Sequence, residues 1–332
     1  MKVIQVMAAR GEVAVLDLPV PTPGPGEVLV RVQAVTTCPQ WDLHLRHNEP
    51  MFVGHTFRYP YAPGQPGHEA TGEIEALGNG VNALSVGDRV SVWRDPGHDV
   101  PGCYAQFVVR KQEDVIRVPS DLPYAATAPL ELAMCVGATF LRLTGMDALR
   151  DRRVGVSGLG PAGLIAGQMA RAEGAASVVG FDPSAKRREH AGRHGFDAVY
   201  DPRGDLAGLF PARAPKLGGA WKPGLDCAVD CVGAKASVEF LMDRGAETVA
   251  LFGVQREDYT FAPRHWMSLC LVGYPRHTRE AAQYAVGLLE RGQLDLSALV
   301  THHLPLERYA DGVDLLERQE AIKVCFWPWQ EP

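Results

Sequence analysis

The chain has 332 residues, 46% of them apolar and 22% charged, with a net charge of −6. That is globular composition with material for about two domains. Its acidic balance leaves no basic surplus to neutralise a phosphate backbone, so no nucleic-acid partner is expected. No apolar run approaches the ~20 residues that cross a bilayer, so no membrane association is expected either. The N-terminus lacks the apolar core of a signal peptide. Seven cysteines (Cys38, Cys103, Cys135, Cys227, Cys231, Cys270 and Cys325) are dispersed without a C-x-x-C pair. This usage fits a reduced, cytoplasmic protein rather than a disulfide framework.

The first 120 residues read as short strands. "EVLVRVQAV", "ATGEIEAL", "GDRVSVW", "YAQFVVR" and "DVIRVP" are rich in Val and Ile and bounded by turn residues, a spacing that predicts a barrel-like β domain. From about 125 the pattern changes. "PYAATAPLELAMCVGATFLRL" has helical apolar spacing, "RRVGVSG" reads as a buried strand and "PAGLIAGQMARAEG" as a helix. "SVVGFD", "SAKRREHAGRHG" and "DAVYD" continue as strand, helix, strand. The alternation predicts an α/β fold with a parallel, doubly wound sheet. The stretch 201–224 reads as loop, "LDCAVDCVG" and "ETVALFGV" as further strands, and the tail as helix, loop, helix, strand.

Gly158-Leu159-Gly160-Pro161-Ala162-Gly163 is a G-x-G-x-x-G stretch between an expected strand and an expected helix, the context that gives this motif its meaning. Gly158 permits the tight turn, Gly160 the approach of a pyrophosphate, and Gly163 close packing of helix on strand. Pro161 suits the first helical turn, and the helix N-terminus offers unpaired N–H groups to phosphate. Asp182 ends the next strand, nineteen residues past Gly163. An acid there accepts from both ribose hydroxyls of NAD and repels the 2′-phosphate of NADP. The run Lys186, Arg187, Arg188 reads as a solvated helix face, with a 2′-phosphate site as the alternative.

"TTCPQWDLH" brings Cys38, Asp42 and His44 within seven residues, and "GQPGHEATGEIEALGNGV" carries His68 and Glu69. Imidazole and thiolate are good zinc ligands, but thirty residues separate Cys38 from His68, so only the fold can join them.

Gly67-His68-Glu69, followed by Gly72, Gly78 and Val81, resembles the signature of the zinc-containing alcohol dehydrogenases of the medium-chain superfamily. "GLGPAGLIAGQMARAEGA", "DCAVDCVGAKASVEF" and "LDLSALVTHHLPLERYADGVDLL" look like that family's later stretches, in family order. The resemblance implies a GroES-like catalytic domain over 1–125, a Rossmann NAD-binding domain over 126–275, and a segment over 276–332 returning to the catalytic domain. It implies NAD-linked interconversion of an alcohol and its ketone or aldehyde, with one catalytic zinc held by Cys38 and His68 beside Glu69. Asp42 resembles the acid that holds the ligand histidine. Glu131 in "PLELAMCV" resembles the third ligand, with Cys135, one helical turn on, as the alternative. A homo-oligomer, dimer or tetramer, is expected.

Two departures stand out. Many family members carry four close cysteines for a second, structural zinc; here "VWRDPGHDVPGCYAQF" offers only Cys103. Members often read Cys-Gly-Ser/Thr-Asp, whose hydroxyl passes the alcohol proton toward solvent. Cys38-Pro39-Gln40-Trp41-Asp42 is one residue longer and has no hydroxyl, which leaves His44 or water as the expected relay. Trp41, Trp93, Phe52 and Phe57 are candidate pocket walls, with core packing favoured for both phenylalanines. A zinc-free quinone or enoyl reductase and a non-catalytic nucleotide-binding protein are the competing functions. Polyols, sugars, amino alcohols such as threonine and simple alcohols all remain as substrates.

Overall fold

The structure is a computed structural model describing residues 1–10, 12–94, 96–213 and 224–329. Residues 214–223 of the expected loop 201–224 thus lie outside the described residues. The chain divides into two compact units, Met1–Leu132 with Asp295–Pro332, and Ala133–Leu294.

A hairpin of β1 (Lys2–Ala8) and β2 (Glu12–Asp17) opens the first unit. β3 (Glu27–Thr36) is the Val-rich centre of its main sheet, with Val28, Val30, Val32 and Val35 all buried. α1 (Pro39–His47) follows directly, then β4 (Glu69–Leu77), β5 (Arg89–Val92), β6 (Phe107–Lys111) and β7 (Val115–Arg117). α2 (Tyr124–Thr127) and the start of α3 (Leu130–Gly145) end this part of the unit.

The second unit begins within α3 and runs through β8 (Arg153–Ser157), α4 (Pro161–Ala172), β9 (Ser177–Phe181), α5 (Ala185–Gly192) and β10 (Ala198–Tyr200). β11 (Leu225–Asp230), α6 (Lys235–Arg244), β12 (Gly245–Leu251), β13 (Cys270–Gly273) and α7 (Arg279–Glu290) complete it. Local chemistry sets its helix starts: Ser184 accepts from Arg187 N–H at α5 and Thr278 from Ala281 N–H at α7. The six strands pair in the order β10-β9-β8-β11-β12-β13, every pair parallel. Strand order reverses between β8 and β11, the crevice where such sheets bind nucleotides. The expected doubly wound sheet is therefore present.

The tail adds β14 (Val300–Pro305), α8 (Tyr309–Glu317) and β15 (Lys323–Trp327) to the first unit. β15 runs antiparallel to β3, with Cys325 opposite Thr36, and extends the order to β14-β15-β3-β4-β5-β7, with β6 also on β3. One continuous apolar core lies between these strands and α8. Two expectations need correction. "VTHHLP" is strand β14, not loop, because its backbone pairs in parallel with β15. The helical stretch Tyr124–Gly145 is 22 residues long and apolar enough to cross a membrane, but 67% of its apolar window is buried inside the protein, as in a core helix.

Candidate metal centre and cofactor cradle

β3 and β4 pair with Thr36 opposite Glu69. The residues just past the end of β3 and just before the start of β4 therefore meet, and the thirty-residue gap between Cys38 and His68 closes. The donor atoms of Cys38, His68 and Glu69 all lie within 4.8 Å of one another. Glu131, in the first turn of α3, points its Oε2 to 3.9 Å from His68 Nε2.

His68 Nδ1 lies 2.7 Å from the Pro66 carbonyl. A carbonyl only accepts, so Nδ1 donates its proton there, and Nε2 is the ring atom that faces Cys38 and Glu131. Burial alone would depress His68, but the Cys38 thiol, Glu131 and Glu69 outweigh it and raise its affinity for protons well above the ordinary imidazole value. An imidazole, a thiol and a carboxylate gathered this closely can hold a metal ion. Thiolate, imidazole and carboxylate are zinc donors. Ligands about 2.0–2.3 Å from a tetrahedral ion sit roughly 3.3–3.8 Å apart, and the 3.9 Å between His68 Nε2 and Glu131 Oε2 is close to that. The donor set fits zinc.

Glu69 has a different set of partners from Glu131. The Lys323 ammonium from β15 lies 2.6 and 2.5 Å from its two oxygens, and Thr36 Oγ1 donates at 3.1 Å. Burial pushes the Glu69 carboxyl up, opposed by Lys323. Cys135 follows Glu131 by one turn of α3 and belongs to the second compact unit.

Asp42 does not hold His68. Its Oδ2 accepts from the Cys38 backbone N–H and the Tyr104 hydroxyl, both at 2.8 Å, and its Oδ1 from the Tyr309 hydroxyl at 2.7 Å. The Pro66 carbonyl takes the place beside His68 that an acid was expected to fill. Burial pushes the Asp42 carboxyl up to about 6. His44 stands farther along α1. Its Nδ1 is 3.1 Å from the Glu49 carbonyl, past the C-terminal end of α1, about 9 Å along the helix from Cys38 at 1.5 Å per residue.

Trp41 packs edge-on against His55 and Phe57, with its ring 3.9 Å from that of His98. Phe57 and Trp93 are core residues, and Trp93 Nε1 donates to the Glu113 carbonyl. Phe52 is 52% exposed, against the expectation of core packing. Cys103, the sole cysteine of the shortened lobe, is fully buried beside Arg110.

In the second unit, Gly158 has φ +88 and Gly160 caps α4, with Pro161 and Ala162 opening the helix. A Cβ on Gly163 would meet the Gly158 carbonyl oxygen at 1.8 Å, whereas one on Gly160 would meet nothing within 4 Å. Gly163 is thus a packing requirement, while Gly160 leaves open space in front of the helix N-terminus, the volume a pyrophosphate needs. Asp182 closes the cradle from β9: its Oδ2 accepts from Leu159 N–H and its Oδ1 from Ser184 N–H, both at 2.8 Å. Arg187 Nη1 stands 3.8 Å from the same Oδ2.

Lys323, Tyr104 and Tyr309 lie outside the metal-ligand and glycine-rich motifs of the sequence. A signal existed for Lys323: a lone charge inside the apolar run "AIKVCFWPW". Two tyrosines meeting one aspartate from positions 62 and 267 residues away carry no such signal.

Comparisons with known proteins agree with this geometry. Residues 24–120 match the alcohol dehydrogenase GroES-like domain family and residues 161–290 the zinc-binding dehydrogenase family. An L-threonine 3-dehydrogenase from Anaeromyxobacter sp. (strain Fw109-5) is 30% identical, covering 95% of this chain and 96% of its own length. A sorbitol dehydrogenase from Halalkalibacterium halodurans is 26% identical over 98% of each chain. The crystal structure of 2R,3R-butanediol dehydrogenase from Bacillus subtilis has the same fold, with a TM-score of 0.82 at 20% identity over 98% of this chain and 99% of that one. The chain belongs to the zinc-type medium-chain alcohol dehydrogenases and is an oxidoreductase of alcohols.

Proposed function

We propose that the protein is a zinc-dependent, NAD-linked dehydrogenase that interconverts a polyol or amino alcohol and its carbonyl product. The observation that carries this reading is His68: its Nδ1 proton is committed to the Pro66 carbonyl, which leaves Nε2 as the ring atom facing Cys38 and Glu131, where a metal ion would displace its proton. Cys38, His68 and Glu131 hold the ion. Bound zinc supplies a Lewis acid to the substrate oxygen and NAD supplies the hydride acceptor. The Pro66 carbonyl fixes the His68 ring, and Lys323 with Thr36 keeps Glu69 in place beside it. Between Cys38 and Asp42 no side chain carries a hydroxyl, so the alcohol proton leaves through His44 or to water.

Gly160 admits the pyrophosphate and the first turn of α4 donates to it. Asp182 supports NAD over NADP, because its charge lies at the strand end where a 2′-phosphate would approach. The threonine and sorbitol dehydrogenases among the relatives support a substrate with neighbouring polar groups.

The test uses the purified full chain. Metal analysis should give close to one zinc per chain, because Cys103 alone cannot build a second site. A panel of polyols, threonine, diols and simple alcohols should yield NADH from NAD⁺. Chelation should abolish the rate and added zinc restore it. Turnover indifferent to chelation would favour a zinc-free reductase, and cofactor binding without turnover on any alcohol a non-catalytic nucleotide-binding protein.

A further inference from the structure

The C-terminal segment grips both flanks of Cys38. On the near side, β15 holds Thr37: the Thr37 N–H donates to the Val324 carbonyl at 2.9 Å and the Val324 N–H to Thr37 Oγ1 at 3.0 Å. The Lys323 ammonium adds a bond to the Thr37 carbonyl at 2.6 Å. On the far side stands Asp42, and both backbone polar groups of Cys38 end on it. The Cys38 N–H donates to the Asp42 carboxylate at 2.8 Å, and the Cys38 carbonyl accepts from the Asp42 N–H at 2.9 Å. Wherever Asp42 sits, the backbone of Cys38 follows.

Two hydroxyls fix Asp42. Tyr309 in α8 donates to Oδ1 and Tyr104 to Oδ2. Their rings lie 4.8 Å apart, and each packs on Phe326 of β15, at 5.8 and 5.7 Å. Both phenols and the carboxylate are buried, where polar groups depend on their protein partners.

We propose that Tyr309 and Tyr104 are positioning residues for the metal ligand Cys38, acting through Asp42, and that the C-terminal segment thereby sets the metal affinity of the centre. The inference rests on Cys38 being a metal ligand, the reading proposed above. Its test is a cobalt(II) titration of zinc-stripped, full-length protein, read by thiolate-to-cobalt charge transfer and by competition with a chromophoric chelator. Tyr309→Phe deletes one oxygen and keeps the ring on Tyr104 and Phe326. Groups that orient a metal ligand are worth about 10–100-fold in metal affinity. Tyr309→Phe should therefore weaken cobalt binding by that factor and shift the charge-transfer band, changes a purely structural clamp would not produce. Tyr104→Phe should do the same and serves if Tyr309→Phe does not fold. A wild-type band with both the affinity within about twofold and the band unchanged in the variant overturns the inference alone. A wild type without a thiolate band overturns the metal reading and the inference with it.

Discussion

Cys38 has two physical futures when its sulfur is removed. As a ligand, its loss deprives the centre of an anionic donor. Cys38→Ala should then fall below about one-hundredth of the wild-type rate, the upper end of what lesser changes around a metal site cost, and lose its metal. As a mere core thiol, its loss leaves a small cavity costing on the order of 1 kcal/mol, and the rate survives. Zinc content and rate of the same preparation decide between the two.

Asp182 shows how the structure alters a residue's test. Its carboxylate accepts from Leu159 N–H and Ser184 N–H, so Asp182→Gly would strip two acceptors from the cradle along with the charge. Asp182→Asn removes the charge and keeps a side-chain oxygen. It should improve kcat/KM for NADP⁺ relative to NAD⁺, by about tenfold for each 1.4 kcal/mol of repulsion relieved. Arg187, already beside Asp182, is the cation ready to receive a 2′-phosphate. A wild-type enzyme that prefers NADP⁺ would contradict the assignment of NAD.

At the scale of elements, those with a strong local pattern are legible in the sequence, whatever their length. β3, β8 and β9 are rich in Val, β4 alternates charged and apolar residues around Ile74, and α4 shows both helical spacing and its Pro161 start. α1 carries neither signal strongly. Its nine residues hold Trp41, two histidines and an arginine around only two buried positions, Asp42 and Leu45. It is defined instead by Pro39 in its first turn and by Asn48, left-handed at φ 56, past its end. Tertiary bonds from the tail complete it. The Glu69–Lys323 pair is likewise tertiary: its partners sit on β4 and β15, 254 residues apart, and both are fully buried. Removing one member of such a pair leaves an uncompensated buried charge, typically about 3–5 kcal/mol of destabilisation. Lys323→Met should lower the unfolding free energy on that scale, and adding Glu69→Gln should recover much of the loss. A single and a double variant of equal stability in denaturant titrations would show that the two charges are not coupled.

At the scale of the whole molecule, the two motifs that chemistry made recognisable in the sequence fall in different compact units: the proposed metal ligands in the first, the glycine-rich cradle in the second. Their ligands should therefore be separable by mutation. Gly160→Val places its side chain where a Cβ meets no protein atom within 4 Å, so the fold tolerates it while the phosphate space is filled. It should weaken NADH binding by at least about tenfold, or 1.4 kcal/mol, with zinc content and thermal midpoint near wild type. Cys38→Ala should do the reverse, losing zinc and keeping NADH affinity. Gly163→Val is the control for mere unfolding: its Cβ would lie 1.8 Å from the Gly158 carbonyl, so stability and cofactor binding should fall together. Fluorescence titration with NADH, metal analysis and thermal melts on the three variants supply the comparison. If Gly160→Val keeps wild-type NADH affinity, the helix N-terminus of α4 is not where the cofactor's phosphates rest. If Cys38→Ala loses NADH along with zinc, the two sites depend on one another in a way that separate units do not require.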